Sequence, residues 1–154
     1  MTLTVAVPGL RDLQLEHLML DVNGTLSNRG VLIEGVETRL DRVRDTLTVK
    51  LVSADTFGTL DAIAGRLGVS SVRAASGEDK VRELDGLGRD RSVVIGNGAN
   101  DALVLEAAAL GIAVLGAEGA SSRALRAADI VCSAVTDALD LLLDPAALAA
   151  TLRA

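Results

Sequence analysis

The chain has no tryptophan and no tyrosine, and Phe57 is its only aromatic residue. A core must therefore be assembled from Leu, Val, Ile and Ala, within a hydrophobic content of 49%. Such a core suits parallel strands covered by Ala-rich helices. Cysteine is almost absent: Cys132 stands alone in the apolar run "DIVCSAV", so no intramolecular disulfide forms, and it reads as a small buried hydrophobe. There is no block of Lys or Arg, and the formal net charge is −6, which argues against a nucleic acid or an anionic membrane surface as partner. No stretch approaches the roughly 20 apolar residues of a membrane span, and no basic region precedes the apolar residues of "MTLTVAV". A soluble, cytoplasmic protein is expected. With 154 residues, no low-complexity tract and no clear repeat, one domain over residues 1–154 is expected.

What is present is alternation. "LTVAV" and "LQLEHLMLD" read as two strands joined by a turn at Pro8-Gly9. Residues 26–35, "LSNRGVLIEG", suggest a small hairpin. "VETRLDRVRDTL" has helical spacing, with Val36, Leu40 and Val43 on one face and charge opposite. The strands "TVKLVSA", "VSSVRAA", "SVVIGN", "IAVLG" and "IVCSA" then alternate with the helices "FGTLDAIAGRLG", "EDKVRELDGLG", "DALVLEAAALG" and "SSRALRAAD". "DALDLLLDPAALAATLRA" closes the chain as a helical segment. This order predicts an α/β fold: a mostly parallel central sheet, right-handed crossovers and helices on both faces. Ligands of such sheets bind outside the carboxyl ends of the strands, so the residues that end strands carry the information.

Those residues are Asp21 in "LMLDVNGTL", Ser53, and "GNGAND" at 96–101. Each has a plain explanation alone. Asn23-Gly24 is a common hairpin turn. Ser53 suits a helix cap, Asn97, Gly98, Asn100 and Asp101 suit a turn before a helix, and Lys80 suits a solvated helix face. Their joint order is more specific. An aspartate ends a core strand in "DVNGT", a serine ends the next, a lysine follows on a later helix, and a Gly loop bearing Asn and Asp ends a further strand. This order resembles the haloacid dehalogenase (HAD) superfamily, with its Asp-x-Asp-Gly-Thr motif, Ser/Thr, Lys and acidic loop. "IGNGANDALVLEAAALGIAVLG" is similar to the Gly-Asp-Gly-x-Asn-Asp segment of the P-type ATPase phosphorylation domain, and "DVNGTL" and "SADTFGT" look like its small free-standing relatives. The resemblance covers about residues 13–135.

The resemblance implies a Rossmann-like HAD fold and phosphoryl chemistry. Asp21 is then the nucleophile that forms an aspartyl-phosphate. Val22, Asn23, Ser53, Ala54 and Lys80 hold the phosphoryl oxygens. Mg2+ is bound by Asp21, the Asn23 main-chain carbonyl, Asn97 and Asp101, with Gly24, Thr25, Gly98 and Asn100 in support. Two departures stand out. Asn23 occupies the place of the general acid/base Asp, and Asn97 that of a metal-binding Asp, so proton transfer and metal affinity are both expected to fall. Two readings stay open: a slow Mg2+-dependent phosphatase or phosphotransferase, and a degenerate relative that binds a phosphorylated ligand or a protein partner.

The segments between Asp21 and Ser53 and between Ser53 and Lys80 leave no room for a cap domain or for the nucleotide-binding domain of an ion pump. An uncapped site takes a large phosphorylated substrate or is closed by a neighbouring subunit, so a phosphorylated small molecule or macromolecule and a homodimer or homotetramer are expected as partners. Residues 26–35 resemble the hairpin that helps build tetramers in capless sugar-acid phosphatases. His17, on the strand leading to Asp21, reads as a packing residue.

Overall fold

A computed structural model describes residues 1–154. Its centre is a six-stranded, all-parallel sheet of β3 (His17–Leu20), β6 (Thr48–Ser53), β7 (Ser70–Arg73), β8 (Ser92–Gly96), β9 (Leu110–Val114) and β10 (Ile130–Cys132). The spatial order is β10-β9-β8-β3-β6-β7. From β3 the chain winds outward through β6 and β7 on one side, then through β8, β9 and β10 on the other. The winding reverses around β3, so the carboxyl end of that strand lies at the switch point where such sheets bind ligands.

Seven helices cover the sheet: α1 (Val36–Val43), α2 (Leu60–Leu67), α3 (Gly77–Leu87), α4 (Ala102–Ala107), α5 (Ser122–Ala127), α6 (Val135–Leu142) and α7 (Pro145–Leu152). Because successive strand residues face opposite sides, the strands feed two cores. Leu18, Leu20, Leu51, Val93, Ile95 and Ile112 pack with α1, α2, α6 and α7 in a cluster of 31 buried residues. Met19, Val52, Val94 and Ala113 pack with Leu84 of α3, Val104 and Leu105 of α4 and Ala124 of α5 in a cluster of 9. Cys132 is buried in the larger cluster, and burial raises its thiol pKa.

The fold departs from the sequence expectation in two places. "LQLEHLMLD" is not one strand. β2 (Leu13–Leu15) pairs antiparallel with β1 (Leu3–Val5) in a separate two-stranded sheet, and β3 begins after Glu16. Alternation stops at Glu16: Leu13 and Leu15 are buried between polar neighbours, whereas Leu18, Met19 and Leu20 are buried in succession after His17, a break of phase that a single strand does not explain. The closing helical segment is two helices, since the Asp144 side chain accepts the Ala147 N–H and Pro145 opens α7 at its first turn.

The expected hairpin forms from β4 (Ser27–Asn28) and β5 (Val31–Leu32), turning through Arg29 and Gly30, both at positive φ (49° and 84°). Gly30 lies over Phe57, which is half-exposed, and Val31 is 70% exposed.

Candidate active site

The motif residues converge at the carboxyl ends of β3, β6 and β8. Asp21 follows β3, Ser53 ends β6, and Asn97 follows Gly96 at the end of β8. Lys80 enters from the first turn of α3, whose start is fixed by Ser76 accepting the Asp79 N–H. A solvated lysine is thereby overturned: Lys80 is 0% exposed. Its Nζ donates to Asp21 Oδ1 at 3.1 Å and to Asp101 Oδ1 at 2.7 Å. Burial works against the ammonium, but the two carboxylates outweigh it and raise the Lys80 pKa.

Asp21 is 8% exposed. Burial, then the charge of Asp101, push its carboxyl up to about 7 against the opposing pull of Lys80. Thr25 Oγ1 lies 3.3 Å from Asp21 Oδ2 and 3.2 Å from Asn97 Oδ1. A hydroxyl has one proton, so it serves one of these oxygens at a time. Val22 shapes the turn: its carbonyl accepts from the N–H groups of Thr25, Leu26 and Ser27, and Gly24 takes φ 74°. A side chain at Gly24 would run into the Asn97 amide. Asn23 is half-buried at this turn.

Asp101 was expected as a metal ligand, but its oxygens face the protein. Oδ1 takes Lys80, while Oδ2 accepts the N–H groups of Asn97 and Gly98 at 3.1 and 2.9 Å. It braces the loop. No cluster of three His, Cys, Asp or Glu side chains capable of holding a metal occurs. Besides the Asp21 carboxylate, the side-chain oxygen reached by the same Thr25 hydroxyl is Asn97 Oδ1, and both are hard donors of the kind a magnesium-type ion takes.

Asn97 is more than a substituted aspartate. Its Oδ1 accepts from Thr25, and its Nδ2 donates to the Gly119 carbonyl at 3.0 Å, while its own carbonyl accepts the Ser121 N–H. The amide ties the segment after β9 to the motif-one turn, a role its sequence position did not reveal. Asn100 Nδ2 donates to the Ala75 carbonyl at 3.2 Å, joining the same loop to the start of α3.

Ser53 is buried, and its Oγ accepts the Asp55 N–H at 2.9 Å, with Ala54 between them. Asp55 and Arg73, which sequence reasoning missed, form an ion pair beside it. His17 lies at the opposite, amino end of β3. A depression of about 420 Å³ between α3 and α4, lined by Glu78, Val81, Arg89, Leu103, Glu106 and Ala107, contains none of the motif residues.

The raised Asp21 pKa has a consequence for stability. A carboxyl whose folded value (about 7) exceeds its ordinary value (3.8) contributes stability that is fully present below 3.8 and lost as pH rises through 7. In chelator, the stability of Asp21→Asn relative to the parent should therefore rise with pH across that window, by up to about 4 kcal/mol on top of the fixed cost of removing a Lys80 partner, and level off above it. Thermal melts of both proteins over this pH range check the expectation, and a difference independent of pH contradicts it.

No protein-family model matches the chain. An uncharacterised protein of Methanocaldococcus jannaschii is 52% identical over 61 residues, 40% of this chain and 66% of that one, so the match extends over about two thirds of the relative. Three solved structures share the architecture. The 3-deoxy-D-manno-octulosonate 8-phosphate phosphatase of Moraxella catarrhalis, crystallised with magnesium, phosphate and KDO, superposes with TM-score 0.69 at 17% identity over 85% of this chain and 87% of that one. A HAD superfamily (subfamily III A) hydrolase of Legionella pneumophila gives 0.67 at 19% identity over 90% and 87%. A zinc-transporting PIB-type ATPase in its E2.Pi state gives 0.65 at 30% identity over 79% of this chain and 20% of that one. With its parallel six-stranded sheet and its motif residues gathered where the strands end, the chain has the haloacid dehalogenase fold in its capless form.

Proposed function

We propose that the protein is a slow, divalent-metal-dependent phosphatase or phosphotransferase that works through an aspartyl-phosphate on Asp21. The observation that carries this reading is the buried Lys80 held between Asp21 and Asp101, with the Ser53 hydroxyl at the adjacent strand end. Asp21 attacks phosphorus, the leaving-group oxygen departs, and the phosphoryl group is carried on the carboxylate. Lys80 and Ser53 offset charge developing on the phosphoryl oxygens, together with main-chain N–H groups of Val22, Asn23 and Ala54. Mg2+, held by the Asp21 carboxylate, the Asn23 main-chain carbonyl and the Asn97 amide oxygen, would supply further charge neutralisation. Asp21 and Asp101 against Lys80 leave one net negative charge, so such an ion binds weakly until phosphate joins it.

The uncapped opening and the exposed Val31 on the hairpin motivate a second element of the reading: a neighbouring copy of the chain covers this edge. Static light scattering should give a dimer or tetramer for the parent and a smaller species for Val31→Lys. A monomeric parent at high micromolar concentration removes this element.

Asn97→Asp should lose the bond to Gly119 and set a carboxylate oxygen against that carbonyl, so in chelator it melts below the parent by about 1–2 kcal/mol. Magnesium should restore more stability to the variant than to the parent, because a charged ligand replaces a neutral one. Equal response of both proteins in melts with and without magnesium removes Asn97 from the metal shell.

Asn23 decides the kinetics. An amide cannot transfer protons near neutral pH, and a positioned acid/base group contributes about 10²–10⁴-fold in rate. Aryl and acyl phosphates need little protonation of their leaving group, whereas hydrolysis of the aspartyl-phosphate needs an activated water. Phosphoenzyme should accumulate, detectable on Asp21 by rapid-quench mass spectrometry, and Asn23→Asp should dephosphorylate faster. If Asp21→Asn keeps the parent's activity, Asp21 is not the nucleophile. If no phosphoenzyme is trapped and Asn23→Asp changes nothing, the protein binds a phosphorylated ligand without turning it over.

A further inference from the structure

Beside Ser53 lies a set of contacts that the chemistry above does not use. Asp55 is one of two non-glycine residues at positive φ, 58°. Aspartate tolerates this left-handed region better than most residues, though it still prefers others. Its N–H donates to Ser53 Oγ at 2.9 Å, and the positive φ sets where its side chain and carbonyl stand relative to that amide. Its carboxylate is engaged on both oxygens. Oδ1 accepts the N–H of Leu60, the first residue of α2, at 2.9 Å. Oδ2 accepts from Arg73 Nη2 at 2.6 Å and Nε at 3.2 Å. The Asp55 side chain is 5% exposed and that of Arg73 63% exposed, so the arginine covers the carboxylate from the solvent side. The hydrogen bond from Arg73, then that from Leu60, hold the Asp55 carboxyl below the usual range.

The sheet brings these groups together. Ser53 and Arg73 are register partners across β6 and β7, and the Ala74 N–H donates to the Ser53 carbonyl at 2.9 Å. Arg73 therefore stands on the strand directly beside the serine whose neighbour it grips. A helix cap alone needs only Oδ1, and many side chains serve as caps without leaving ordinary φ. The left-handed backbone lets one residue do two things at once: its N–H is held on Ser53 Oγ while both carboxylate oxygens are held by Leu60 and Arg73. With one lone pair of Oγ occupied by a fixed donor, the hydroxyl proton is directed away from Asp55. The serine is thereby a preorganised donor rather than a free rotor.

We propose that Asp55, anchored by Arg73, is a positioning residue that aims the Ser53 hydroxyl at the phosphoryl oxygen. This rests on the phosphate-handling role given to Ser53 above. Neither residue touches the ligand; the pair acts through Ser53 by fixing the backbone that holds it.

The test uses the full chain with magnesium, with orthovanadate and inorganic phosphate as binding probes and an aryl phosphate where turnover is measurable. Ser53→Ala should weaken vanadate binding about tenfold, the loss expected for one hydrogen bond to a charged group. Arg73→Gln should weaken it by a similar factor, raise KM more than it lowers kcat, and speed hydrogen exchange at the Asp55 amide. The double variant should be no weaker than Ser53→Ala alone, since both changes remove one interaction. Asp55→Gly, which adopts positive φ without strain, keeps the fold accessible while deleting the carboxylate, and should match Arg73→Gln. A purely structural pair would lower the melting temperature while leaving vanadate affinity and Asp55 exchange unchanged, and that result overturns the proposal. So do losses that multiply in the double variant. If the parent binds vanadate but shows no turnover, the catalytic reading falls and the positioning role is still decided by the binding series. If the parent binds neither probe, both fall.

Discussion

Burying a lone ammonium is among the more expensive things a fold can do, and here it is offset only by the two carboxylates on either side of Lys80. The arrangement of the site follows from that constraint. Asp21 must end the central strand, Asp101 must turn inward from the loop after β8, and the first turn of α3 must point at both. Deleting one partner leaves an uncompensated buried charge, typically worth about 3–5 kcal/mol. Asp101 extends the constraint into the backbone by gathering the Asn97 and Gly98 N–H groups, so the loop conformation and the charge balance are one arrangement.

The two asparagines at acidic positions of the family pattern have different physical standing. Asn97 has partners at both ends of its amide, a donor in Thr25 and an acceptor in Gly119, and a carboxylate satisfies only the first. Its surroundings are built for an amide. Asn23 sits half-buried on a turn whose shape is set by the Val22 carbonyl and the Gly24 backbone. A carboxylate in place of Asn97 would set negative charge against the Gly119 carbonyl oxygen, so the contacts at that position are completed by an amide alone.

Much of this was legible in the residues. Alternating strands and helices gave the parallel sheet, and the order of Asp21, Ser53, Lys80 and Asp101 located the site because strand ends are where such sheets present side chains. Three things were not legible, each because it depends on pairing across distance. The apolar alternation breaks phase at Glu16–His17, but the strands that the two halves pair with come from other segments of the sequence. The inward turn of Asp101 depends on where Lys80 arrives from α3. The Asp55–Arg73 pair joins the segments at the ends of adjacent strands, and the sequence assigns no role to either residue. A lone aspartate two residues past a strand-ending serine, with an arginine ending the next strand, is the signal that would have found it.

The two faces of the sheet are unequal, with 31 buried apolar residues on one and 9 on the other. The thinner side carries α3, α4 and α5, and with them Lys80 and the loop of Asn97 and Asp101. Fewer apolar contacts mean a smaller free energy for local opening, so this layer is the cooperative unit expected to unfold before the rest. Its attachment to the sheet is therefore partly ionic, made through the site itself. Anything that neutralises Asp21 or draws Lys80 away from it acts on the adhesion of a whole layer, and that change becomes readable in the amide protection of α4 and α5 as well as of α3.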